Sequence, residues 1–159
     1  MNCRIVDKEG FKIIGKCKKV TTDCGKQFET IPKFWEESYN NGLCEKLFKI
    51  AGSLGILGVC ADFEHEKGEL TYVIAVEKLK AEVPDDLVEK EIPAATWAIF
   101  EAVGPIPGAL QEVWKRIFSE WFPATGYEHA DAPELEIYLP GNPNDSNYKC
   151  EVWIPIIKK

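Results

Sequence analysis

The sequence predicts an α+β fold in which antiparallel sheets each carry a helix on one face. Three observations lead there. Apolar and polar residues alternate at period two in several stretches, most clearly from Tyr148 to Ile157. In one stretch Leu110, Val113, Trp114, Ile117, Phe118 and Trp121 instead recur at helical spacing. The order of elements then repeats: a shift of 79 residues lays Trp35 on Trp114, Ile31 on Leu110, Tyr72 on Glu151 and Ile74 on Trp153. Two pseudo-symmetric β-α-β-β modules are expected, at about residues 1–80 and 81–159, within a single domain.

Along the chain, Phe11 to Val20 is rich in β-compatible residues and reads as a strand. Phe28, Ile31, Trp35, Ser38 and Tyr39 fall at helical spacing between about Gln27 and Tyr39, and Asn41-Gly42 stops that helix. A short helix follows from Leu43 to Ile50. Ser53 to Cys60 and Leu70 to Lys78 read as strands joined by a polar turn around His65-Glu66-Lys67-Gly68. Glu89 to Val103 is a strand region, with an edge or bulge expected at Pro93. Gly104-Pro105-Ile106-Pro107-Gly108 is a loop, the amphipathic helix follows it, and Pro123 ends that helix. Its Trp114 and Trp121 lie on the apolar stripe and are expected in the core. Leu135 to Leu139 and Tyr148 to Ile157 are the last strands.

A chain of 159 residues buries roughly two-thirds of its unfolded surface, enough for a core without staples. Its net charge is −7, from 19 basic and 26 acidic residues, which argues against nucleic acid as a direct partner. The excess is uneven along the chain: residues 1–80 hold 13 basic and 12 acidic side chains, and residues 81–159 hold 6 and 14. A cationic or neutral ligand suits such a field. No apolar leader opens the sequence, and Leu47 to Phe63 is interrupted by Lys49, Asp62 and glycines, so neither export nor a membrane partner is expected and the location reads as cytoplasmic. Six cysteines without a C-x-x-C pair read as reduced thiols. With two histidines, neither near a cysteine pair, no metal and no cofactor are expected.

The last strand divides its residues by alternation. Cys150, Val152, Ile154 and Ile156 share a face that a helix could cover, and Glu151, Trp153 and Pro155 share the other. Leu135, Ile137 and Leu139 alternate with Glu136 and Tyr138 in the preceding strand. If the two strands pair, Tyr138 and Glu136 are expected near Glu151 and Trp153. That face is either a solvated surface or the wall of a cleft. In a cleft, a carboxylate among aromatic rings suits a planar organic cation.

The segments Trp97-Ala98-Ile99-Phe100-Glu101, Gly104-Pro105, Glu120-Trp121-Phe122-Pro123, Gly126-Tyr127-Glu128, Leu135-Glu136-Ile137-Tyr138 and Cys150-Glu151-Val152-Trp153-Ile154-Pro155-Ile156 resemble the GyrI-like small-molecule-binding family, also called the AraC-type effector-binding domain. Phe11 to Gly15 and Ile31-Pro32-Lys33-Phe34-Trp35 extend the resemblance over nearly the whole chain. It implies a tandem pair of β-α-β-β modules enclosing a central ligand cleft. It also implies a binding glutamate in an aromatic pocket, here Glu151, with Trp35, Tyr72, Trp97, Tyr138 and Trp153 as wall residues. Regulators of this family carry a DNA-reading head. Here strand pattern begins by Phe11, so the chain resembles a stand-alone member.

Three functions follow from the resemblance. The first is binding of bulky, planar, hydrophobic aromatic or cationic small molecules such as drugs and other xenobiotics. The second is a hydrolase that opens the cyclopropane of DNA-alkylating natural products, with Glu151 as general base and Tyr138 or Trp35 orienting the substrate. The third is a protein interaction like that of gyrase-inhibitor relatives.

Overall fold

A computed structural model describes all residues, 1–159, which form two compact units. The first comprises Phe11–Ile92 and the second comprises Met1–Gly10 with Pro93–Lys159. In chain order the strands are β1 (Cys3–Lys8), β2 (Phe11–Thr21), β3 (Ile56–Glu64), β4 (Glu69–Glu77), β5 (Val88–Ile92), β6 (Ala95–Val103), β7 (Tyr127–His129), β8 (Glu134–Tyr138) and β9 (Lys149–Lys158). The helices are α1 (Gln27–Asn40), α2 (Leu43–Ile50) and α3 (Gly108–Arg116). The α+β class is as the sequence predicts.

The Phe11–Ile92 unit is an antiparallel sheet in the order β3-β4-β2-β5. Helices α1 and α2 lie on the face that carries Ile14, Leu70, Tyr72, Ile74 and Val76, which pack with Phe34, Leu43 and Leu47. Burial of this layer is the main stabilising term of the unit. At the centre of β2, Gly15 is required by close approach: a Cβ there would stand 2.1 Å from the Ile74 carbonyl oxygen.

The other unit is ordered β1-β6-β9-β8, all antiparallel, with β7 also on β9. Helix α3 covers Ala98, Phe100, Ala102, Cys150, Val152, Ile154 and Ile156 with Leu110, Val113 and Ile117. After Arg116 the helix widens into a π-type segment, Ile117–Trp121, before a last turn at Phe122–Ala124. The wider turn shifts the stripe predicted by regular spacing. Phe118 is consequently half exposed, whereas Trp121 packs edge-on against Phe100 at 5.2 Å and stacks on Tyr127 at 5.8 Å.

The split expected at about residue 80 differs from the two observed units, because β1 and β5 each pair away from their chain neighbours. Strand β5 precedes β6 in the chain but pairs with β2, and β1 precedes β2 but pairs with β6. Ile5 faces Ala98 in one ladder and Phe11 faces Ile92 in the other, so partner numbers add to the same total in both. An internal duplication with exchanged leading strands requires that equality. Counted by unit, Phe11–Ile92 holds 12 basic and 15 acidic residues, and the remainder holds 7 and 11. The uneven charge read along the chain therefore largely disappears, because the acidic stretch from Glu82 to Glu91 belongs to the first unit.

Two further differences have simple causes. The expected strand Glu89 to Val103 is two strands, separated at Pro93 and Ala94, since proline cannot donate to a ladder. Strand β1 carries no apolar alternation because its first five residues are exposed.

Candidate functional site

The candidate site lies on β6 and β9, on the face away from α3. Register places Trp97 opposite Pro155, Ile99 opposite Trp153 and Glu101 opposite Glu151. Leu135 and Ile137 of β8 stand opposite Trp153 and Glu151 and continue this face. Trp97 and Trp153 are buried, with ring centroids 5.8 Å apart and planes 58° apart. The division of β9 into a helix-facing apolar set and a Glu151–Trp153 set is thus the one its alternation predicts.

Glu151 keeps 15% of its side chain exposed at the margin of this aromatic face. Trp153 Nε1 donates to its Oε1 at 3.2 Å, and Arg4 Nη2 on β1 donates to its Oε2 at 3.0 Å. Glu101 sits directly across the ladder, and like charges in that position repel. Arg4 offsets one of the two carboxylates, so this patch of three charged side chains retains a net negative charge. Trp97 Nε1 is buried with no hydrogen-bond partner. An unmade bond of that kind costs about 1–3 kcal/mol, so an acceptor brought to it would be stabilised.

Tyr138 is not part of this arrangement, contrary to the sequence expectation. It stands opposite Cys150, on the face that α3 covers, because it is one residue out of phase with Ile137, the partner of Glu151. Its hydroxyl donates to Glu136 Oε1 at 2.9 Å, and Trp114 Nε1 donates to Glu136 Oε2 at 2.9 Å. Glu136 and Tyr138 therefore tie the helix to the sheet. The buried apolar residues of β8, Leu135 and Ile137, share the face of Glu151, which leaves Glu136 and Tyr138 on the helix side.

Trp35 and Tyr72 belong to the Phe11–Ile92 unit. Trp35 Nε1 donates to the Tyr72 hydroxyl at 2.8 Å, and Tyr72 is buried edge-on against Phe34 beneath α1. The 79-residue shift lays Tyr72 on Glu151, yet Tyr72 faces helices and Glu151 does not. Helices tolerate that shift; strands reverse face with a one-residue slip. A pocket of about 480 Å³ in this unit is lined by Lys16, Lys18, Lys46, Phe34, Glu37 and Asp86 among others. Its lysines disfavour a cation.

Two residues of the acidic aromatic face escaped sequence reasoning. Glu101 shares the parity of Trp97 along β6, so strict alternation could have found it. Arg4 lies on a strand whose exposure removes any such signal. The six cysteines are free; burial pushes the Cys150 thiol up to about 12 and Cys44 up to about 11, which keeps both protonated at neutral pH. No three or more His, Cys, Asp or Glu side chains gather so as to hold a metal ion. No helix is long and apolar enough to cross a membrane.

An α+β pair of repeated units with an acidic aromatic face describes a class of small-molecule-binding domains. The family model of the GyrI-like small molecule binding domain matches residues 1–157, and the chain belongs to that family. It is 27% identical to the transcriptional regulator BrlR of Pseudomonas aeruginosa over 98% of this chain and 56% of that protein. It is also 27% identical to a DNA gyrase inhibitor of Erwinia billingiae over 65% of this chain and 56% of that protein. The chain thus spans about half the length of these curated relatives. Among solved structures it resembles SAV2435 bound to tetraphenylphosphonium, with a TM-score of 0.87, 22% identity, and coverage of 99% of this chain and 94% of that one.

Proposed function

We propose that this small-molecule-binding domain takes bulky lipophilic cations of the drug and xenobiotic kind, with Glu151 as the charge partner and Trp97 and Trp153 as the aromatic wall. One observation carries the reading: Glu151 is held by the Trp153 indole at the edge of a buried aromatic pair, with a second carboxylate across the strand. A carboxylate so placed offers charge compensation where the rings offer cation–π attraction and apolar contact. The tetraphenylphosphonium bound by the structural relative is a ligand of this chemical class. The net charge of −7 favours such a partner over nucleic acid.

Binding is better supported than hydrolysis. As a general base Glu151 would share its lone pairs with the bonds it already accepts from Trp153 and Arg4. The tyrosine expected to assist it, Tyr138, faces α3 instead. Calorimetric titration of tetraphenylphosphonium tests the proposal. The wild-type chain should bind it, and Glu151→Gln should weaken binding about tenfold or more, the equivalent of about 1.4 kcal/mol. Equal affinities for the two proteins would overturn the reading.

A further inference from the structure

We propose that Arg4 is the selectivity residue of this site: its guanidinium occupies Glu151 when no ligand is bound, and an incoming cation must displace it. The inference rests on the binding role proposed for Glu151. Arg4 faces Ile99 in the β1–β6 ladder, which puts its side chain on the face of Trp153 and Glu151. From there it reaches across β6 to place Nη2 3.0 Å from Glu151 Oε2. The two partners differ in exposure: the Arg4 side chain is 56% exposed and that of Glu151 is 15% exposed. Released from the pair, the guanidinium turns into water it already largely occupies. The carboxylate, largely out of water beside the Trp153 indole and across from Glu101, is the partner that needs a cation.

This asymmetry makes exchange of one cation for another inexpensive, and it sets a threshold. An ion pair with one partner largely in water is a weak interaction, so a cation that adds ring contact beside Glu151 outcompetes Arg4. A small, strongly hydrated cation offers Glu151 nothing that the guanidinium lacks, and it must also lose water. Arg4 therefore filters ligands by apolar area, although charge alone draws every cation towards Glu101 and Glu151. Arg4 is also tethered to the site by β1, so its local concentration exceeds that of a free competitor.

The test is titration of tetraphenylphosphonium into the full chain carrying Arg4→Gln, Arg4→Lys or Lys158→Gln, each also checked for an unchanged melting transition. Arg4→Gln should tighten binding about fivefold, in keeping with the loss of a weak competing ion pair. Arg4→Lys should stay within about twofold of wild type, as a cation is retained. Lys158→Gln removes the same unit of charge from an exposed position on β9 and should also stay within about twofold, separating displacement from a general field effect. In a Glu151→Gln background, Arg4→Gln should change nothing. If Arg4→Gln binds as wild type does or more weakly while Glu151→Gln still weakens binding, the Arg4 inference is overturned and the binding role stands. If Glu151→Gln itself has no effect, the binding role fails first.

Discussion

The two units share a strand order and differ in what their sheets present. In Phe11–Ile92 the order β3-β4-β2-β5 carries an aromatic layer, with Tyr72, Phe34 and Trp35 locking α1 to the sheet through a ring cluster and one hydrogen bond. In the other unit the corresponding order β8-β9-β6-β1 carries carboxylates among the rings. There Trp114 donates to Glu136 beneath the helix and Trp153 donates to Glu151 on the opposite face. The same framework thus uses tryptophan N–H groups for packing in one unit and for orienting acids in the other. A carboxylate needs such a donor wherever it leaves bulk water. The two units thus share a framework and differ at a few strand positions, where one places rings beneath helices and the other places carboxylates beside rings.

Substitutions in the packing unit should have the largest effects. Tyr72→Ala should destabilise the fold by about 3–5 kcal/mol, as expected for a fully buried aromatic, read by chemical denaturation. A loss below about 1 kcal/mol would show that Tyr72 does not anchor its unit. Gly15→Ala should cost about 3 kcal/mol or more in the same assay, since its Cβ meets backbone and the strand must shift. Glu151→Gln should leave stability within about 1 kcal/mol of wild type, because a partly exposed pair is lost while repulsion from Glu101 is relieved. A larger loss would make Glu151 structural in the manner of Tyr72.

The smallest effect is pH-dependent. His129 Nε2 lies 2.8 Å from Glu134 Oε1, and the hydrogen bond with this carboxylate raises the imidazole above its ordinary range, against partial burial and with help from Asp131. Phe118 stacks on the same ring at 6.5 Å. A pKa raised in the folded state gives stability that is fully present below the ordinary histidine value and lost as pH rises through the raised one. His129→Gln should therefore cost about 1 kcal/mol at pH 5.5 and little at pH 9. An equal deficit at both values would show that the charged His129–Glu134 pair adds nothing to stability.

Much of this architecture was legible because burial leaves a period in the sequence. The apolar set of β9 and the short helix Leu43–Ile50 fell where spacing put them. What escaped did so for identifiable reasons. Strand β1 has neither face buried, so nothing alternates. The π-type turn after Arg116 moved Phe118 outwards, and no residue pattern announces such a turn. The exchange of β1 and β5 between repeats depends on pairing rather than on local sequence, so the boundary near residue 80 misassigned both. Tyr138 illustrates the sharpest limit: alternation gave two faces of β8 correctly but could not tell which joined Glu151. Glu101 and Arg4 follow from the register once it is known.

The proposed binding turns on charge at Glu151 beside the Trp153 ring. Tetraphenylphosphonium and tetraphenylborate have nearly the same shape and opposite charge, so titrating both into the wild-type chain and Glu151→Gln isolates that charge. The wild type should prefer the phosphonium by about tenfold or more, and the variant should lose most of that preference. Equal binding of the two ions by the wild type, or a preference that survives in Glu151→Gln, would contradict the claim.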